Sequence, residues 1–294
     1  MVRNAYDVMR LRAAKDAVRR ALEEDLGPRW CDATSEALVD PAAMATGEIY
    51  AKGAGCVVAG ATVAAAVMRA VDPKVRVKVL KPDGSSAKPL EPILSFRGKA
   101  RSILAAERTA LNVMQRMCAT ATLTRRFVEA TKRYGTLILD TRKTTPGLRV
   151  FEKYAVTCGG GTNHRFGMFD RILMKDNHRR LWRGGDPDAL DQAVIAARKA
   201  FPKLDVEVEV ENLRECESAL KAKPEWIMLD NMSCADMRKC VKMCRGISKT
   251  EASGGITLDR AREVAATGVT AISLGCLTHS AGSIDLSLEW RTTK

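Results

Sequence analysis

The second half of the chain alternates short apolar runs with helical segments, and this alternation limits the possible folds more than any other feature. Six runs have the character of β-strands, at residues 136–140, 171–175, 205–211, 225–230, 249–254 and 270–275. Strand–helix units joined by right-handed crossovers build a parallel sheet. No dinucleotide-binding glycine fingerprint accompanies them. We therefore expect a closed or nearly closed α/β barrel, with a doubly wound open sheet as the alternative.

The residues before this alternation show a different pattern. A helical start over 13–26 precedes four short strand-like runs, at 47–51, 56–59, 75–80 and 93–96. Pro82-Asp83-Gly84-Ser85 is a turn signal between two of these runs. The mixture predicts a small α+β domain, and a long helical stretch from Lys99 to near Gly135 follows it.

Composition excludes several classes of protein. No apolar run is long enough to span a bilayer, and charged residues among the first twenty exclude a secretory signal and argue against a transit peptide. The nine cysteines lack the spacing of a disulfide framework, so we expect a reducing compartment, the cytoplasm. The formal net charge of +13 is compatible with nucleic acid, an acidic membrane surface or an anionic small molecule.

Charged and polar residues collect where the predicted strands end, which is the rim that carries the active site in α/β barrels. These segments are Asp140-Thr141-Arg142-Lys143, Asn163-His164-Arg165, Lys175-Asp176-Asn177-His178, Asp230-Asn231, Ser253-Gly254-Gly255 and Gly275 with His279. All three histidines of the chain are among them. Histidines without a function would be scattered, so the clustering favours a site.

The strand predicted at 205–211 alternates valine with glutamate. Period-2 geometry places Glu207, Glu209 and Glu211 on one face. If the valines pack under helices, the glutamates face the barrel interior, where buried carboxylates need cations or a metal. Lys143, Lys175 and Arg142 are the expected cations. The alternative is an edge strand whose glutamates face water.

A phosphate site is indicated at the last two strands. Ser253-Gly254-Gly255 precedes a predicted helix, and Gly275 follows one unit later. Backbone N–H groups and a helix N-terminus in this position can hold a phosphate. Paired carboxylates nearby suit magnesium bound together with substrate phosphate oxygens.

These motifs together resemble those of the quinolinate phosphoribosyltransferase family over nearly the whole chain. One of them is Asp140-Thr141-Arg142-Lys143-Thr144-Thr145-Pro146-Gly147-Leu148-Arg149. The others, in the same order as in the family, are residues 24–27, 107–112, 152–156, 159–161, 163–165, 175–178, 229–231, 251–256 and 277–280. Each motif alone is weak, whereas the set is highly specific.

The resemblance implies an enzyme of NAD biosynthesis that joins quinolinate to phosphoribosyl pyrophosphate and releases pyrophosphate and carbon dioxide. It implies an N-terminal open-faced α/β sandwich, residues 1–115 joined by 281–294, and an incomplete, seven-stranded α/β barrel, residues 116–280. It also implies a homodimer with a shared active site, with hexamers as a further assembly. Magnesium is expected with the phosphoribosyl donor, and no organic cofactor, nucleic acid or membrane partner is expected.

The resemblance also assigns roles to residues. Arg142, His164, Arg165 and Lys175 are expected to contact quinolinate, and Arg108 to do so from the neighbouring subunit. The expected catalytic residues are Lys143, Lys175, Glu209 and Asp230, with Glu209 and Asp230 beside the ribose and its magnesium. The residues expected around the 5-phosphate are Ser253, Gly254, Gly255, Gly275 and His279.

Two other functions are compatible with part of the sequence pattern. A related phosphoribosyltransferase of the type encoded with molybdate transporters would act on another acid, but the 175–178 segment and both histidine motifs favour quinolinate. A nucleic-acid-binding protein would leave the strand-end carboxylates and histidines unexplained. One departure from the family is Arg179-Arg180, where relatives usually have an apolar residue.

Overall fold

The computed structural model describes residues 5–182 and 186–291. The chain packs into two compact units, of which the first comprises 1–125, 143–160 and 276–294, and the second 126–142 and 161–275. Residues 143–160, which the sequence assigned to the barrel domain, thus pack with the first unit. Of the predicted C-terminal segment 281–294, residues 292–294 lie outside the described residues.

Helices and strands alternate as follows. The strands are β1 (Met44–Ala51), β2 (Cys56–Val57), β3 (Arg76–Val79), β4 (Ser86–Ala87), β5 (Pro92–Lys99), β6 (Leu137–Leu139), β7 (Ile172–Met174), β8 (Val206–Val210), β9 (Trp226–Asp230), β10 (Lys249–Ser253), β11 (Ala271–Ser273) and β12 (Leu286–Arg291). The helices are α1 (Ala5–Leu26), α2 (Ala33–Leu38), α3 (Ala61–Val71), α4 (Ala100–Thr131), α5 (Arg149–Cys158), α6 (Asp176–Leu181), α7 (Leu190–Ala200), α8 (Leu213–Leu220), α9 (Cys234–Cys244), α10 (Leu258–Ala265) and α11 (Cys276–His279).

The first unit is the open-faced sandwich. Its antiparallel sheet has the order β12-β1-β5-β3, so the C-terminal strand pairs with the first strand of the chain. Buried residues Ile49 and Leu94 of the sheet belong to one apolar core with Leu22 of α1, Met68 of α3 and Met114 of α4. Burying such side chains contributes about 1.5–3 kcal/mol each.

The second unit is the incomplete barrel. Its parallel strands have the order β6-β11-β10-β9-β8-β7. From β7 to β11 each strand lies beside its neighbour in the chain, and the last parallel strand, β11, pairs with the first, β6. A doubly wound sheet would instead reverse this order at a switch point, so that alternative is wrong. Thr162 forms a single parallel bridge to Leu139, so the seventh strand of the barrel is only one residue long.

Side-chain caps mark the starts of two helical segments of the second unit. Ser233 caps α9, where its Oγ accepts from the Asp236 N–H at 3.1 Å. Asp186 accepts from the Asp188 N–H at 2.9 Å, but it caps a 3₁₀ turn that precedes α7 rather than α7 itself. None of the helices within 5–182 and 186–291 has the length and apolarity needed to cross a bilayer.

Candidate active site

The carboxyl ends of the barrel strands carry most of the residues predicted from the sequence. Ten of them belong to the second unit: Arg142, His164, Arg165, Lys175, Glu209, Asp230, Ser253, Gly254, Gly255 and Gly275. The other three, Arg108, Lys143 and His279, belong to the first unit. Parallel strands end at one edge of a sheet, which explains why residues so distant in the chain share the barrel rim.

Strand β8 lies between β7 and β9, so the interpretation as a water-facing edge strand is wrong. Every residue of β8 is buried, so burial alone does not distinguish its two faces. The Glu207 carboxylate lies within 4.8 Å of that of Glu251 on β10, two strands away, which confirms that Glu207, and with it Glu209 in the period-2 pattern, faces the interior. The prediction for Glu211 is wrong, because the strand ends at Val210 and Glu211 is exposed. The next residue, Asn212, is already the N-cap of α8.

Glu209 is held by the start of α6. Its Oε2 lies 2.7 Å from Nζ of Lys175, and its Oε1 accepts from the Asp176 N–H at 3.3 Å. The Lys175 N–H in turn donates to Nδ1 of His178 at 3.0 Å. The expected pairing of Lys175 with this strand is therefore confirmed, and His178 braces the backbone of Lys175.

His164 is buried beneath the rim, with both ring nitrogens facing protein atoms. Its backbone N–H donates to Oδ1 of Asp140 at 2.9 Å, and its Nδ1 accepts from the Arg165 N–H at 2.7 Å. Its Nε2 lies 3.1 Å from Glu207 Oε2 and 3.5 Å from Glu251 Oε2. This arrangement places the ring proton on Nε2, facing the two carboxyl groups. Direct contact of His164 with quinolinate stays a prediction.

The carboxyl pair below His164 carries one negative charge. Burial and the charge of Glu207 raise the pKa of Glu251 well above its usual value. Burial also acts to raise the pKa of Glu207, but hydrogen bonding from His164 and the Arg171 guanidinium, 3.3 Å away, lower it. Glu251 therefore keeps its proton and Glu207 is ionised. Three of these groups, His164, Glu207 and Glu251, could also bind a metal, but Arg171 and the proton on Glu251 already balance their charge.

The same region contains an excess of guanidinium groups. Burial and the neighbouring positive charge of Arg142 lower the pKa of Arg165. Arg165 Nη1 also donates to the Arg171 carbonyl at 3.2 Å. Two like charges held together in a partly buried site are relieved when an anion binds between or beside them. Forked guanidinium donors match the geometry of carboxylates.

The loop after β9 and the loop after β10 fit closely against each other. Asn231, with φ of 53°, donates from Nδ2 to Asp230 Oδ2 at 2.8 Å and from its backbone N–H to the Ser253 carbonyl at 3.0 Å. Gly254 has φ of 98°, and a Cβ there would overlap the Asn231 side chain. Only glycine fits against Asn231 at this position, and a phosphate site at this turn stays a prediction.

In the first unit, the loop after Lys143 is held by a buried ion pair. Arg116 donates from Nε to Glu152 at 3.0 Å and from Nη2 to Thr145 Oγ1 at 2.7 Å, and the Thr145 N–H donates to Glu152 at 3.0 Å. The Lys143 carbonyl accepts from Thr278 Oγ1 at 2.6 Å. The exposed Lys143 side chain thus extends from a backbone fixed on both sides.

The other two predicted residues of this unit are at its surface. Arg108 is exposed on α4. His279 ends α11, and its Nδ1 lies 2.6 Å from Ser280 Oγ.

Comparison with known proteins decides the family. Residues 32–118 match the model described as "Quinolinate phosphoribosyl transferase, N-terminal domain", and residues 120–289 match the model for the C-terminal domain of the same enzyme. The chain belongs to the quinolinate phosphoribosyl transferase family.

Individual family members align over most of their length. The chain is 40% identical over 283 residues to the nicotinate-nucleotide pyrophosphorylase [carboxylating] of Mycobacterium leprae, covering 94% of this chain and 97% of that protein. It is 39% identical to the probable enzyme of that name from Bacillus subtilis, covering 90% and 89%. The solved structure of nicotinate-nucleotide pyrophosphorylase from Francisella tularensis is 37% identical, with a TM-score of 0.87 over 95% of this chain and 96% of that one.

Glu209 and Asp230 are the residues expected to bind magnesium in a quinolinate phosphoribosyl transferase. Glu209 pairs with Met228 in the parallel register, so Asp230, two residues on, faces the same side of the sheet as Glu209. Two carboxylates on neighbouring strands suit a hard cation whose remaining ligands are phosphate oxygens and water. Magnesium binding at Glu209 and Asp230 stays a prediction.

Sequence reasoning did not assign a role to several residues that shape this site. Asp140 holds the backbone of His164, Glu251 lies next to Glu207 with a raised pKa, and Arg116 with Glu152 fixes the loop after Lys143. Asp140, Glu152 and Glu251 belong to family motifs, whereas Arg116 lies outside them. Their roles depend on contacts between segments far apart in the chain, which spacing alone does not reveal.

Proposed function

We propose that this protein transfers the phosphoribosyl group of phosphoribosyl pyrophosphate to quinolinate, with decarboxylation, to give nicotinate mononucleotide, pyrophosphate and carbon dioxide. The observation that carries the proposal is the pair of partly buried guanidinium groups, Arg142 and Arg165, at the barrel end that also carries the Glu209 and Asp230 carboxylates. The guanidinium groups match a dianionic acid, and the carboxylates match a phosphorylated sugar that carries magnesium. The names of the aligned relatives support the same reaction.

The acid end of the site is built for two carboxylates on a rigid ring. Forked donors from Arg142 and Arg165 bind such groups through paired hydrogen bonds, each about 1.5–3 kcal/mol when charge-assisted. His164, fixed by Asp140 and the carboxyl pair, sets the backbone position of Arg165 through the Arg165 N–H. Arg108 adds a further guanidinium from the second subunit in this proposal.

The donor end uses lysines, carboxylates and glycines. Lys143 and Lys175 stabilise the departing pyrophosphate, and Glu209 with Asp230 face the ribose. These two carboxylates would hold magnesium, which supplies neutralisation of the pyrophosphate charge when it is bound. Backbone N–H groups at the Ser253–Gly255 turn and Gly275, with His279 nearby, take the 5-phosphate.

The reaction then follows from positioning and electrostatics. The bond from ribose C1 to pyrophosphate breaks as the pyridine nitrogen forms its bond to C1, and the positive charge that develops on the ribose is stabilised by the Glu209 and Asp230 carboxylates. The product is a pyridinium. Its ring accepts the electron pair released when the adjacent carboxylate leaves as carbon dioxide, and a proton then adds to that ring carbon.

The proposal extends to assembly and location. A homodimer in which Arg108 completes the partner's site, with hexamers built from such dimers, is supported by the exposure of Arg108 on α4. A cytoplasmic location is supported by the nine cysteines, all of them described and all present as thiols. The net charge of +13 is assigned to anionic substrates rather than to nucleic acid or a membrane surface.

A substrate panel tests the proposed function. Purified protein is incubated with phosphoribosyl pyrophosphate, magnesium and either quinolinate, nicotinate or another pyridine acid, and nucleotide formation is followed. Among the acids tested, we expect only quinolinate to give nicotinate mononucleotide. We expect Lys143→Ala to lower kcat by at least about 100-fold, since electrostatic groups at the leaving group contribute on that order. Turnover of nicotinate without quinolinate turnover would overturn the assignment.

A further inference from the structure

The side chain of Arg179 does not extend into solvent. Arg179 lies on α6, four residues after Lys175, and its side chain is only 14% exposed. Its neighbour Arg180 is exposed. Two adjacent arginines of the same helix therefore have different environments, and burying a guanidinium has a cost that specific partners must offset.

Those partners are one carboxylate and one backbone carbonyl. Arg179 forms a two-pronged contact with Glu215 of α8, from Nη1 to Oε2 at 2.8 Å and from Nη2 to Oε1 at 3.1 Å. Nη1 also donates to the carbonyl oxygen of Glu209 at 2.5 Å. The forked geometry fixes orientation as well as distance, which a lysine ammonium does not do.

Glu215 connects the same contact to the backbone that follows β8. Its Oε2 accepts from the Glu211 N–H at 2.8 Å, while its own N–H donates to the Asn212 side chain at 3.0 Å. Residues 209–212 are thus held by Arg179 and Glu215 at both carbonyl and N–H groups. This segment is the carboxyl end of the strand that carries Glu209.

The contact also fixes α6 itself. A helix of six residues is marginal alone and depends on tertiary contacts. The start of α6 presents Lys175 Nζ and the Asp176 N–H to the Glu209 carboxylate. Arg179, one turn later, binds the Glu209 carbonyl, so α6 holds both the side chain and the backbone of the same residue.

We propose that Arg179 is a positioning residue that, with Glu215, fixes the end of β8 and thereby aligns Glu209 and Lys175 with the phosphoribosyl donor. The inference rests on the proposed function. Arg179 does not touch substrate; it acts through Glu209 and α6. A buried ion pair is by itself weak evidence for stability, so the test separates alignment from stability.

The experiment compares Arg179→Met with Arg180→Met, the same substitution on the exposed neighbour. Arg179→Lys keeps the charge without the fork, and the double variant Arg179→Met/Glu215→Met removes both buried charges. The measurements are kcat, KM for each substrate, the magnesium concentration that gives half the maximal rate, and the melting temperature.

We expect Arg179→Met to lower kcat about tenfold and to raise the half-maximal magnesium concentration severalfold, since small misplacements of reacting groups have effects of this size. Arg180→Met should match wild type within about twofold. The double variant should regain melting temperature but not kcat, and Arg179→Lys should lie between wild type and Arg179→Met. If Arg179→Met does not fold, Arg179→Lys and the double variant decide the question.

Two failures are distinguishable. A wild-type protein without quinolinate turnover removes the proposed function, and this inference with it. An active wild type with Arg179 variants whose kcat and magnesium requirement equal those of Arg180→Met removes this inference alone. Recovery of kcat together with melting temperature in the double variant would also overturn it, because the role would then be stability.

Discussion

At the scale of single residues, the interior of the barrel shows how charge is arranged under a polar rim. Glu207 of β8 and Glu251 of β10, two strands apart, both lie next to His164, and Arg171 lies beside Glu207. Two ionised carboxylates at this depth would repel each other strongly, so one retains its proton. The result is a carboxylic acid kept neutral next to a carboxylate that accepts from Arg171 and lies 3.1 Å from His164 Nε2.

Glu251 gives a test of this charge arrangement through the pH dependence of stability. A carboxyl whose pKa is raised on folding binds more protons in the folded than in the unfolded state above pH about 4.3. The contribution of Glu251 to the free energy of unfolding is therefore fully present below the pKa of the unfolded state. It declines as pH rises toward the pKa of the folded state, by at most about 1.4 kcal/mol per pH unit. Glu251→Gln cannot ionise, so its free energy of unfolding should fall less between pH 5 and 8.

The measurement is denaturant unfolding of wild type and Glu251→Gln at several pH values in that window. Glu207, whose pKa is lowered, loses its contribution only below the unfolded pKa and stays outside the window. Parallel stability profiles for the two proteins would show that Glu251 is ionised when folded, contrary to the charge arrangement described.

At the scale of elements, the loops after β9 and β10 make a specific prediction. Gly254→Ala places a Cβ against Asn231 in a backbone conformation that alanine disfavours. Asn231 also donates to Asp230, so displacement of the Asn231 side chain should disturb the Asp230 carboxylate. We expect KM for phosphoribosyl pyrophosphate to rise by tenfold or more, which corresponds to about 1.4 kcal/mol. Steady-state kinetics measures the change.

Gly246→Ala is the matched control. Gly246 has φ of 76°, and an added Cβ would have open space around it. Its substitution should cost about 1 kcal/mol of stability from backbone strain alone and leave KM unchanged. Equal kinetic effects in both variants would show that the contact with Asn231 does not shape the donor site.

Much of the barrel could be predicted because its signals are local. Apolar runs bounded by polar residues located all six strands of the parallel sheet, and strand-end chemistry located the rim. The residue pattern did not locate the seventh strand, because Thr162 forms a single bridge and a single residue has no periodicity. Glu211 was placed wrongly because the helix cap at Asn212 ends the strand before the alternation of residue types ends.

The environment of His164 could not be predicted from spacing either. Its ring contacts depend on Glu207 of β8 and Glu251 of β10, which adjoin it only after the barrel forms. The orientation of Arg179 had the same limitation, since an arginine on a short helix is ordinarily solvated and its partner Glu215 lies on another element. Residue type and position in the chain indicated the site, and tertiary contacts determined the roles within it.

At the scale of the whole molecule, the proposed sharing of the site between subunits has a quantitative test. Arg108→Ala and Lys175→Ala should each be inactive, since each removes a cation from every site. In a two-fold dimer, mixed pairs contain one intact site of two, so equal mixing with subunit exchange should restore about a quarter of wild-type activity.

Lys175→Ala mixed with Glu209→Ala is the control for that experiment. Both residues belong to the same barrel, so no mixed dimer contains an intact site and no activity should return. Subunit exchange is demonstrated with differently tagged subunits. If exchange occurs and neither mixture regains activity, the contribution of Arg108 to the partner's site is contradicted.

The central claim is that the cationic barrel end binds a pyridine dicarboxylate and couples phosphoribosyl transfer to decarboxylation. The most direct measurement uses quinolinate labelled in its 2-carboxyl group, with product nucleotide, pyrophosphate and released carbon dioxide quantified together. We predict equal amounts of all three, with no carbon dioxide in the absence of phosphoribosyl pyrophosphate. Nucleotide formed with the label retained, or label released without the phosphoribosyl donor, would contradict the claim.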